Sequence, residues 1–302
     1  MDRLQAMQIF AAVAETESFA AAARRLGLSP PVVTRAVAGL EERIGTRLLH
    51  RTTRSVRLTD GGQRFLKDCR RILADIDEAE AAAAGQHAAL RGRIAITAPV
   101  MFGRLHVAPA VMGFLDQNPQ VSARLLLLDR VVDMMEEGID VAVRIAHLTD
   151  SALTAVKVGE LRRVTCASTT YLKKHGEPKT PADLQNHPAI FTSPGADMHD
   201  WAFDKLAKSV RIAPPHQLVL NSSDVAIAAV LEGRGFTRLL SYQVAAEVRA
   251  GRIRIVLQDF EPPPVPVHLV QMEGRRAPAR VRAFIEYAAE RLRADLAQIQ
   301  TL

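Results

Sequence analysis

The sequence predicts an α/β protein with an N-terminal helix-turn-helix and basic hairpin, then a long helix, then a larger domain of strands and helices. Three observations lead to this prediction. Residues 16–58 contain two short helical segments joined by a glycine turn, followed by an arginine-rich stretch. Apolar residues between positions 65 and 83 are spaced 4, 3, 4, 3 and 4 apart. Strand and helix patterns alternate from residue 94 onward, which is typical of α/β domains.

Local signals place the turn between the first two helices of this segment. Ser18 is a residue type that caps helices, and it precedes apolar residues at three- and four-residue spacing. Gly27 follows, where a helix C-terminus takes a left-handed residue. Ser29 is the next predicted N-cap, and Pro30 takes the first helical position, where a missing N–H has no cost. Two helices joined by so short a turn form a helix-turn-helix.

The second helix of the motif has two unlike faces. An apolar stripe, predicted to be core, is formed by Val33, Val37, Leu40 and Ile44. The opposite face is small or polar and consists of Pro31, Thr34, Arg35 and Ala38. A helix that enters the DNA major groove needs small residues for close approach and a few donors for base edges. Arg35 is suited to guanine and Thr34 to a base or a thymine methyl, although an ordinary solvated face is the alternative.

The distribution of charge favours a polyanionic partner. Residues 24–57 hold eight arginines and two glutamates, a balance of +6 that equals the net charge of the whole chain. Phosphate contacts fix the register of a DNA-binding protein, whereas base contacts specify the sequence. We expect Ser18, Arg24 and Ser29 to position the backbone and the hairpin to reach phosphates or the minor groove. The hairpin candidates are Arg51, Thr52, Thr53 and Arg54.

A long helix is predicted after the hairpin, over residues 59–90. Thr59 caps it and Asp60 complements its N-terminal dipole. A heptad-like seam is formed by Phe65, Cys69, Ile72, Ile76, Ala79 and Ala83. We favour a partner helix for this seam, and packing against the chain's own domain is the alternative. A dimer would place two DNA-binding domains about 34 Å apart, or a multiple of that distance, on a pseudo-palindromic site in double-stranded DNA.

From residue 91 onward, the sequence predicts two sets of alternating strands and helices. The first set predicts strands and helices in the order 94–97 (strand), 105–115 (helix), 121–128 (strand), 131–137 (helix) and 139–145 (strand). The second set predicts strands at 164–168, 189–193 and 217–220 and helices at 169–175 and 225–231. The last strand, 267–272, and the last helix, 278–298, are expected to rejoin the first set. Two such lobes form a cleft that can close on a small ligand.

Several other classes lack support in the sequence. No apolar run approaches the roughly 18 residues that cross a bilayer, and the start lacks a signal-peptide pattern, so we expect a cytoplasmic protein without a membrane partner. Cys69 and Cys166 show no disulfide or metal spacing and are expected to be buried apolar side chains, with a redox role for Cys166 as the alternative. GxSxG, GxGxxG and phosphate-loop motifs are absent, so we expect no enzyme, cofactor or metal. An enzyme and a solute-binding protein remain the competing classes.

The chain resembles LysR-type transcriptional regulators over nearly its whole length. The resemblance is carried by residues 7–62 (MQIFAAVAE…RLTDGG), 98–103 (APVMFG), 140–146 (DVAVRIA) and 233–253 (GRGFTRLLSYQVAAEVRAGRI). It implies a winged helix-turn-helix at 1–58, a dimerising linker helix at 59–90 and a two-lobed α/β effector domain, like a periplasmic binding protein, at 91–302. Lobe I would comprise 91–162 and 267–302, and lobe II 163–266. It also implies a homodimer or homotetramer, with RNA polymerase as a further partner.

The same resemblance implies which residues contact ligands. Many members have Gln at the position of Pro30 in this chain. Proline lacks the side-chain amide with which Gln can contact a base. The resemblance therefore assigns only Pro31, Thr34 and Arg35 to the major groove. A small-molecule effector, a carboxylate or an aromatic compound, would be bound by Val100, Met101, Phe102, Arg144, Ser193, Asn221, Ser222, Thr237 and Arg238. Relatives often have Ser or Thr at or near the position of Met101. The part of the effector cleft around Met101 is therefore expected to be more apolar in this chain. A structural ion pair for Arg144, and helix capping for Asn221 and Ser222, are the alternatives.

Overall fold

The computed structural model describes residues 2–51, 56–83, 90–148, 153–192, 200–205, 208–272, 274 and 277–300. The chain divides into two compact units, Met1–Ala89 and Leu90–Leu302. None of the described helices combines the length and the apolar character that a membrane span needs.

The first unit is a three-helix core with a hairpin and a long helix. Its elements are α1 (Arg3–Thr16), α2 (Phe19–Leu26), α3 (Pro30–Ile44), β1 (Leu49–Arg51), β2 (Val56–Leu58) and α4 (Asp60–Ala83). β1 and β2 pair antiparallel, with Leu49 opposite Leu58. The core is built around Phe10, Val13, Val33, Val37 and Leu40, all of which are fully or almost fully buried.

The helix ends follow the sequence signals. The Ala21 N–H donates to Ser18 Oγ over 3.3 Å, and Gly27 ends α2 in the left-handed region with a φ of 65°. α3 begins at Pro30 with Ser29 as its N-cap residue, but the Ser29 hydroxyl makes no capping hydrogen bond. Ser29 therefore leaves its side chain exposed at the start of α3.

The prediction that Ile44 belongs to the buried core was wrong. Val33, Val37 and Leu40 are buried as expected, and Ala36 joins them, but Ile44 is 40% exposed. Ile44 is the last residue of α3 before the left-handed Gly45, so it lies at the end of the stripe that packs on α1 and α2. Helical periodicity identifies the face of a residue but not where the partner surface ends.

The expectation of a partner helix for the α4 seam was wrong for its first half. Phe65, Cys69 and Ile72 pack against the core of their own unit, and the Phe65 ring centroid lies 5.7 Å from that of Phe10. A 4–3 spacing fits any apolar surface that follows one helix face, and α1 supplies that surface here. Ile76 is half-buried, and the side chains of Ala79 and Ala83 lie outside the described part of the chain.

Two hydrogen bonds hold the start of α4 against the unit. The Gly62 N–H donates to Thr59 Oγ1 over 2.9 Å, and the Thr59 hydroxyl donates to the Arg47 carbonyl over 2.8 Å. Gly62 is required here because an added Cβ would lie 1.9 Å from the Leu48 carbonyl oxygen. The hairpin and the long helix are thus tied to each other.

The second unit contains two five-stranded sheets. The first sheet, of lobe I, has the order β4 (Val121–Leu127), β3 (Gly92–Ala98), β5 (Val141–Ile145), β14 (Val265–Gln271) and β6 (Thr154–Leu161). β3 runs parallel to β4 and β5, whereas β14 runs antiparallel to β5 and β6. Its helices are α5 (Val100–Phe102), which continues through a π-helical turn at 103–107, α6 (Ala108–Gln117) and α10 (Ala279–Ile299).

The second sheet forms lobe II. Its order is β11 (His216–Leu220), β8 (Ala189–Thr192), β12 (Phe236–Leu240), β7 (Arg163–Ser168) and β13 (Ile253–Val256). Its helices are α7 (Thr169–His175), α8 (Ser223–Leu231) and α9 (Ser241–Arg249), and a hairpin is formed by β9 (Trp201–Lys205) and β10 (Lys208–Ile212). The chain enters lobe II between β6 and β7 and leaves it before β14, so two crossings link the lobes.

The helix predicted for Val131–Glu137 was wrong, because this segment forms turns. The Asp133 carboxylate accepts hydrogen bonds from the N–H groups of Met135 and Glu136, each over 2.9 Å. An aspartate that bonds to the backbone two and three residues ahead stabilises a turn in place of a helix. Val131, an apolar residue of the predicted helix, is 83% exposed.

Both cysteines are buried and free. Burial is the first cause that raises the pKa of each thiol to about 12. The thiolate, which is the form that reacts with oxidants, is therefore scarce at both positions, in agreement with the interpretation of buried apolar side chains.

Candidate nucleic-acid interface and small-molecule cavity

The outer face of α3 is open. All four residues of the polar face, Pro31, Thr34, Arg35 and Ala38, are exposed. The Thr34 hydroxyl donates to the Pro30 carbonyl over 3.0 Å. Within the described part of the first unit, no carboxylate pairs with Arg35. A free guanidinium on the first turns of such a helix is suited to base edges in a major groove.

One of the eight clustered arginines has a different role. Glu15 accepts hydrogen bonds from Arg25 over 2.9 Å and from Arg70 over 3.0 Å. These contacts join α1 to α2 and to α4. Arg25 is therefore engaged inside the unit, and the charge available to a polyanion is smaller than the sequence count.

The ion pairs of Glu15 predict a pH dependence of stability. Burial raises the pKa of Glu15, but the hydrogen bonds from Arg25 and Arg70 outweigh burial and hold the pKa below its ordinary value of 4.5. Since folding lowers this pKa, the contribution is present above the unfolded value and is lost as pH falls through the folded one. We expect Glu15→Gln to flatten the decline in melting temperature between about pH 6 and about pH 3.

A matched control for this prediction is Glu42→Gln, which removes an exposed carboxylate on α3. That variant should show the same acid decline as the parent protein in calorimetric unfolding. If Glu15→Gln and Glu42→Gln follow identical curves, Glu15 does not tie the three helices together.

The other predicted DNA-contacting residues are distributed around α3 and the hairpin. Ser29 is exposed as the N-cap residue of α3 and Arg24 is exposed in the last turn of α2, whereas Ser18 is half-buried and engaged in capping α2. Thr52, Thr53 and Arg54 lie outside the described residues, and so does the side chain of Arg51. Pro30 is exposed at the first position of α3.

In the second unit, a cavity of about 420 Å³ lies where residues of both lobes meet. It is lined by five of the residues predicted to bind an effector, namely Val100, Met101, Asn221, Ser222 and Arg238. Val100 and Met101 begin α5 in lobe I. Asn221 and Ser222 precede α8, and Arg238 lies on β12, all in lobe II. Ser222 is the N-cap residue of α8, but its side chain makes no capping hydrogen bond.

Three of the predicted effector residues do not line this cavity, and their role in effector binding stays a prediction. Phe102 is fully buried in the lobe I core, where its ring centroid lies 5.2 Å from that of Tyr242. Thr237 is also fully buried, and its hydroxyl donates to the Ile190 carbonyl over 2.9 Å. Arg144 donates to the Val132 carbonyl over 2.7 Å and so holds the turn segment. Ser193 lies outside the described residues.

Arg238 is the most unusual side chain of the cavity. Only 7% of it is exposed, and its guanidinium carbon lies 4.4 Å from the centre of the Phe203 ring. Within the described part of the chain, Nε and one Nη are buried without a hydrogen-bond partner. Burial, and then the charge of Arg163, lower the pKa of Arg238 to about 10. The charges of Glu261 and Asp204 act in the opposite direction, so the buried charge of Arg238 is partly compensated by these two carboxylates.

The structure adds cavity residues that the sequence did not identify. These are chiefly Asp129, Arg163, Asp224, Tyr242 and Gln243. Asp129 accepts a hydrogen bond from the Val100 N–H over 2.9 Å, and Asp224 pairs with Arg104 over 2.8 Å. Arg163 opens β7, just after the crossing between lobes. Arg163 lies at the amino end of β7, whereas ligands of open α/β sheets lie at the carboxyl ends of strands, so the strand pattern gave no signal for this residue.

Comparison with known proteins decides the family. Residues 4–63 match the model of the bacterial regulatory helix-turn-helix protein, lysR family, and residues 87–293 match that of the LysR substrate binding domain. The chain belongs to the LysR family of transcriptional regulators. Members of this family are regulators and not enzymes, so the protein is a DNA-binding regulator with a substrate-binding domain.

This LysR-type regulator is similar to other regulators along nearly its whole length. An HTH-type transcriptional regulator of Xanthomonas campestris pv. campestris is 35% identical over 294 residues, which are 95% of this chain and 85% of that protein. The structure of CrgA, a LysR-type transcriptional regulator from Neisseria meningitidis, covers 95% of this chain and 98% of its own at 25% identity and a TM-score of 0.62. Full-length AphB, a virulence activator of Vibrio cholerae, shares the fold at a TM-score of 0.61, 24% identity, and 96% and 99% coverage.

Proposed function

We propose that α3 reads operator bases through Pro31, Thr34 and Arg35 and that a small-molecule effector in the cavity modulates this binding. The observation that carries the first half is the exposed polar face of α3 on a helix whose opposite face is fixed in the core. A rigid helix presents its side chains to base edges with little loss of conformational entropy. Arg24, Ser29 and the hairpin residues 51–54 then contact phosphates or the minor groove, with Pro30 at the start of the DNA-reading helix and Ser18 fixing the turn before it.

The second half of the proposal is supported by the composition of the cavity wall. Val100 and Asp129 belong to lobe I, and Asn221 and Arg238 belong to lobe II. A molecule that contacts both lobes binds one separation of the lobes more tightly than another. That difference in affinity is what a ligand needs to shift a conformational equilibrium.

We further propose that the regulator acts as a homodimer or homotetramer on a pseudo-palindromic operator. In this proposal residues 1–58 form the winged helix-turn-helix, 59–90 the linker helix and 91–302 the effector domain. Because Phe65, Cys69 and Ile72 are used inside the unit, the partner contact falls on the later part of α4, from Ile76 onward. RNA polymerase is the proposed further partner on DNA.

The salt dependence of operator binding tests the role of the hairpin. A side chain that neutralises one phosphate contributes about one unit to the slope of log affinity against log salt. We expect Arg54→Ala to reduce that slope by about one unit while base preference stays the same. The measurement is a titration of a fluorescent operator duplex at several salt concentrations.

A matched control is Arg234→Ala, which removes an equal charge from an exposed site in the second unit. Its slope should equal that of the parent protein. An unchanged slope for Arg54→Ala would remove the hairpin from the phosphate contacts. Loss of base preference in that variant would instead place Arg54 on a base edge.

A further inference from the structure

Tyr242 connects the two lobes of the second unit. It lies on α9, a helix of lobe II, but its side chain is 4% exposed and packs in the hydrophobic core of lobe I. Its ring centroid lies 5.2 Å from that of Phe102 and 5.9 Å from that of His106, and both pairs meet edge to face. Such aromatic pairs stabilise a structure beyond the area that they bury. One helix of lobe II is therefore anchored in lobe I.

Two polar contacts cross the same boundary. Arg104 of lobe I pairs with Asp224 of α8 over 2.8 Å. Arg249, at the end of α9, donates to the Gln298 carbonyl of α10 over 2.9 Å, so α9 is attached to lobe I near both of its ends. The side chains of Arg104 and Asp224 are more than half exposed, and solvent weakens their attraction. The buried ring contacts are therefore the stronger part of the boundary.

A π-helical turn carries the lobe I side of this boundary. In this turn, Gly103–Val107, the Ala108 N–H donates to the Gly103 carbonyl five residues before it. Arg104 and His106 both belong to the turn, and each contacts a side chain of lobe II. Single π-helical turns within helices are frequent at functional positions. The irregular turn thus coincides with the contacts to lobe II.

We infer that these contacts form an interlobe lock, which holds the cavity at one width in the protein without ligand. The lock consists of the rings of Phe102, His106 and Tyr242 together with the Arg104–Asp224 pair. The two chain crossings alone would leave lobe II free to turn against lobe I. Separation of the lobes brings buried rings into water, which opposes it in proportion to the apolar area exposed.

The lock limits how the second unit can move. The lobes shift by small movements that keep α9 on lobe I, and not by a wide opening of the cleft. Because the lock is a property of the protein without ligand, its test is independent of the proposed function. Operator binding can fail while the lock is present, and the lock can be absent from a regulator that binds its operator.

Nitration of tyrosine measures how often the lock opens, because tetranitromethane modifies rings that reach solvent. The chain has three tyrosines, Tyr171, Tyr242 and Tyr287. In the full-length protein, we expect Tyr242 to react more slowly than the half-buried Tyr287. Arg104→Ala should accelerate nitration of Tyr242 about two- to fivefold, as expected for loss of an exposed ion pair, and leave Tyr171 unchanged. Peptide mass spectrometry measures each rate.

Arg211→Ala is the matched control, because it breaks an ion pair of Arg211 with Asp200, over 3.1 Å, that lies within lobe II. Its rate of Tyr242 nitration should equal that of the parent protein. Nitration of Tyr242 as fast as that of Tyr287 in the parent would overturn the inference, because the lobes would then separate freely. Equal rates of Tyr242 nitration in Arg104→Ala and Arg211→Ala would overturn it as well.

A distance between the lobes tests the role of the Tyr242 ring itself. Spin labels at Asp116→Cys on α6 and Lys173→Cys on α7, both exposed positions, measure this distance in the full-length protein. Labelled chains are diluted with unlabelled ones, so that the two labels of one chain are observed. We expect one narrow distance distribution for the parent and a broader distribution for Tyr242→Ala.

Tyr287→Ala is the control for this measurement, since Tyr287 packs within lobe I, with its ring centroid 5.8 Å from that of Phe114. It should keep the narrow distribution of the parent. A distribution for Tyr242→Ala as narrow as that for Tyr287→Ala would show that Tyr242 serves the lobe I core alone, and would overturn the inference. Tyr242→Leu, which keeps more of the apolar volume, takes the place of an alanine variant that does not fold, and the same broadening is expected.

Discussion

Arg35→Ala is expected to weaken operator binding by about 1–3 kcal/mol and to relax base preference at one position of each half-site. Arg35 is exposed near the N-terminal part of α3, and no carboxylate among the described residues of its unit pairs with it. The variant therefore removes a donor pair that is free to meet guanine. Competition titrations with operator duplexes altered one base pair at a time measure both effects.

Arg35→Lys is the matched control for this prediction. Lysine keeps the charge but lacks the planar fork that pairs with two guanine acceptors. The salt slope should then equal that of the parent, whereas discrimination at the contacted base pair should fall. If Arg35→Ala keeps both its affinity and its base preference, Arg35 lies outside the groove.

Phe102→Ala is expected to lower the free energy of unfolding by about 3–5 kcal/mol. Phe102 is fully buried and contacts the rings of His106 in lobe I and of Tyr242 in lobe II. Truncation removes a large apolar area from a packed core and leaves a cavity. The measurement is denaturant unfolding of the full-length protein without added ligand.

Val100→Ala is the neighbouring control, because Val100 is 40% exposed at the cavity. It should change the free energy of unfolding by no more than about 0.5 kcal/mol. A small effect of Phe102→Ala on stability, combined with a large effect on effector response, would return Phe102 to the ligand site.

The helix-turn-helix was predictable because its signals are local. Ser18, Gly27 and Pro30 each fix a helix end by their own chemistry, whatever the rest of the chain does. The α4 seam was only half predictable. Its spacing identified the apolar face, but the identity of the surface opposite depends on α1, which is distant in sequence.

The sequence predicted that a cleft lies between two lobes, but it did not predict correctly which side chains line the cavity. Val100 and Phe102 are two residues apart on a helical turn and so point to opposite sides, one to the cavity and one to the core. Thr237 and Arg238 alternate on β12 in the same way. A family resemblance carries over a segment, whereas exposure of each side chain depends on the packing of both lobes. Arg163 and Asp129 come together only through that packing.

Dimethyl sulfate footprinting of the promoter DNA tests the central claim most directly, since the reagent methylates guanine N7 in the major groove. The exposed face of α3 should protect guanines in two half-sites, spaced by about one helical turn or a multiple of it. Protection should be lost at high salt and altered at single guanines by Arg35→Ala. An absence of guanine protection on a duplex that the protein binds with sequence preference would contradict recognition by α3.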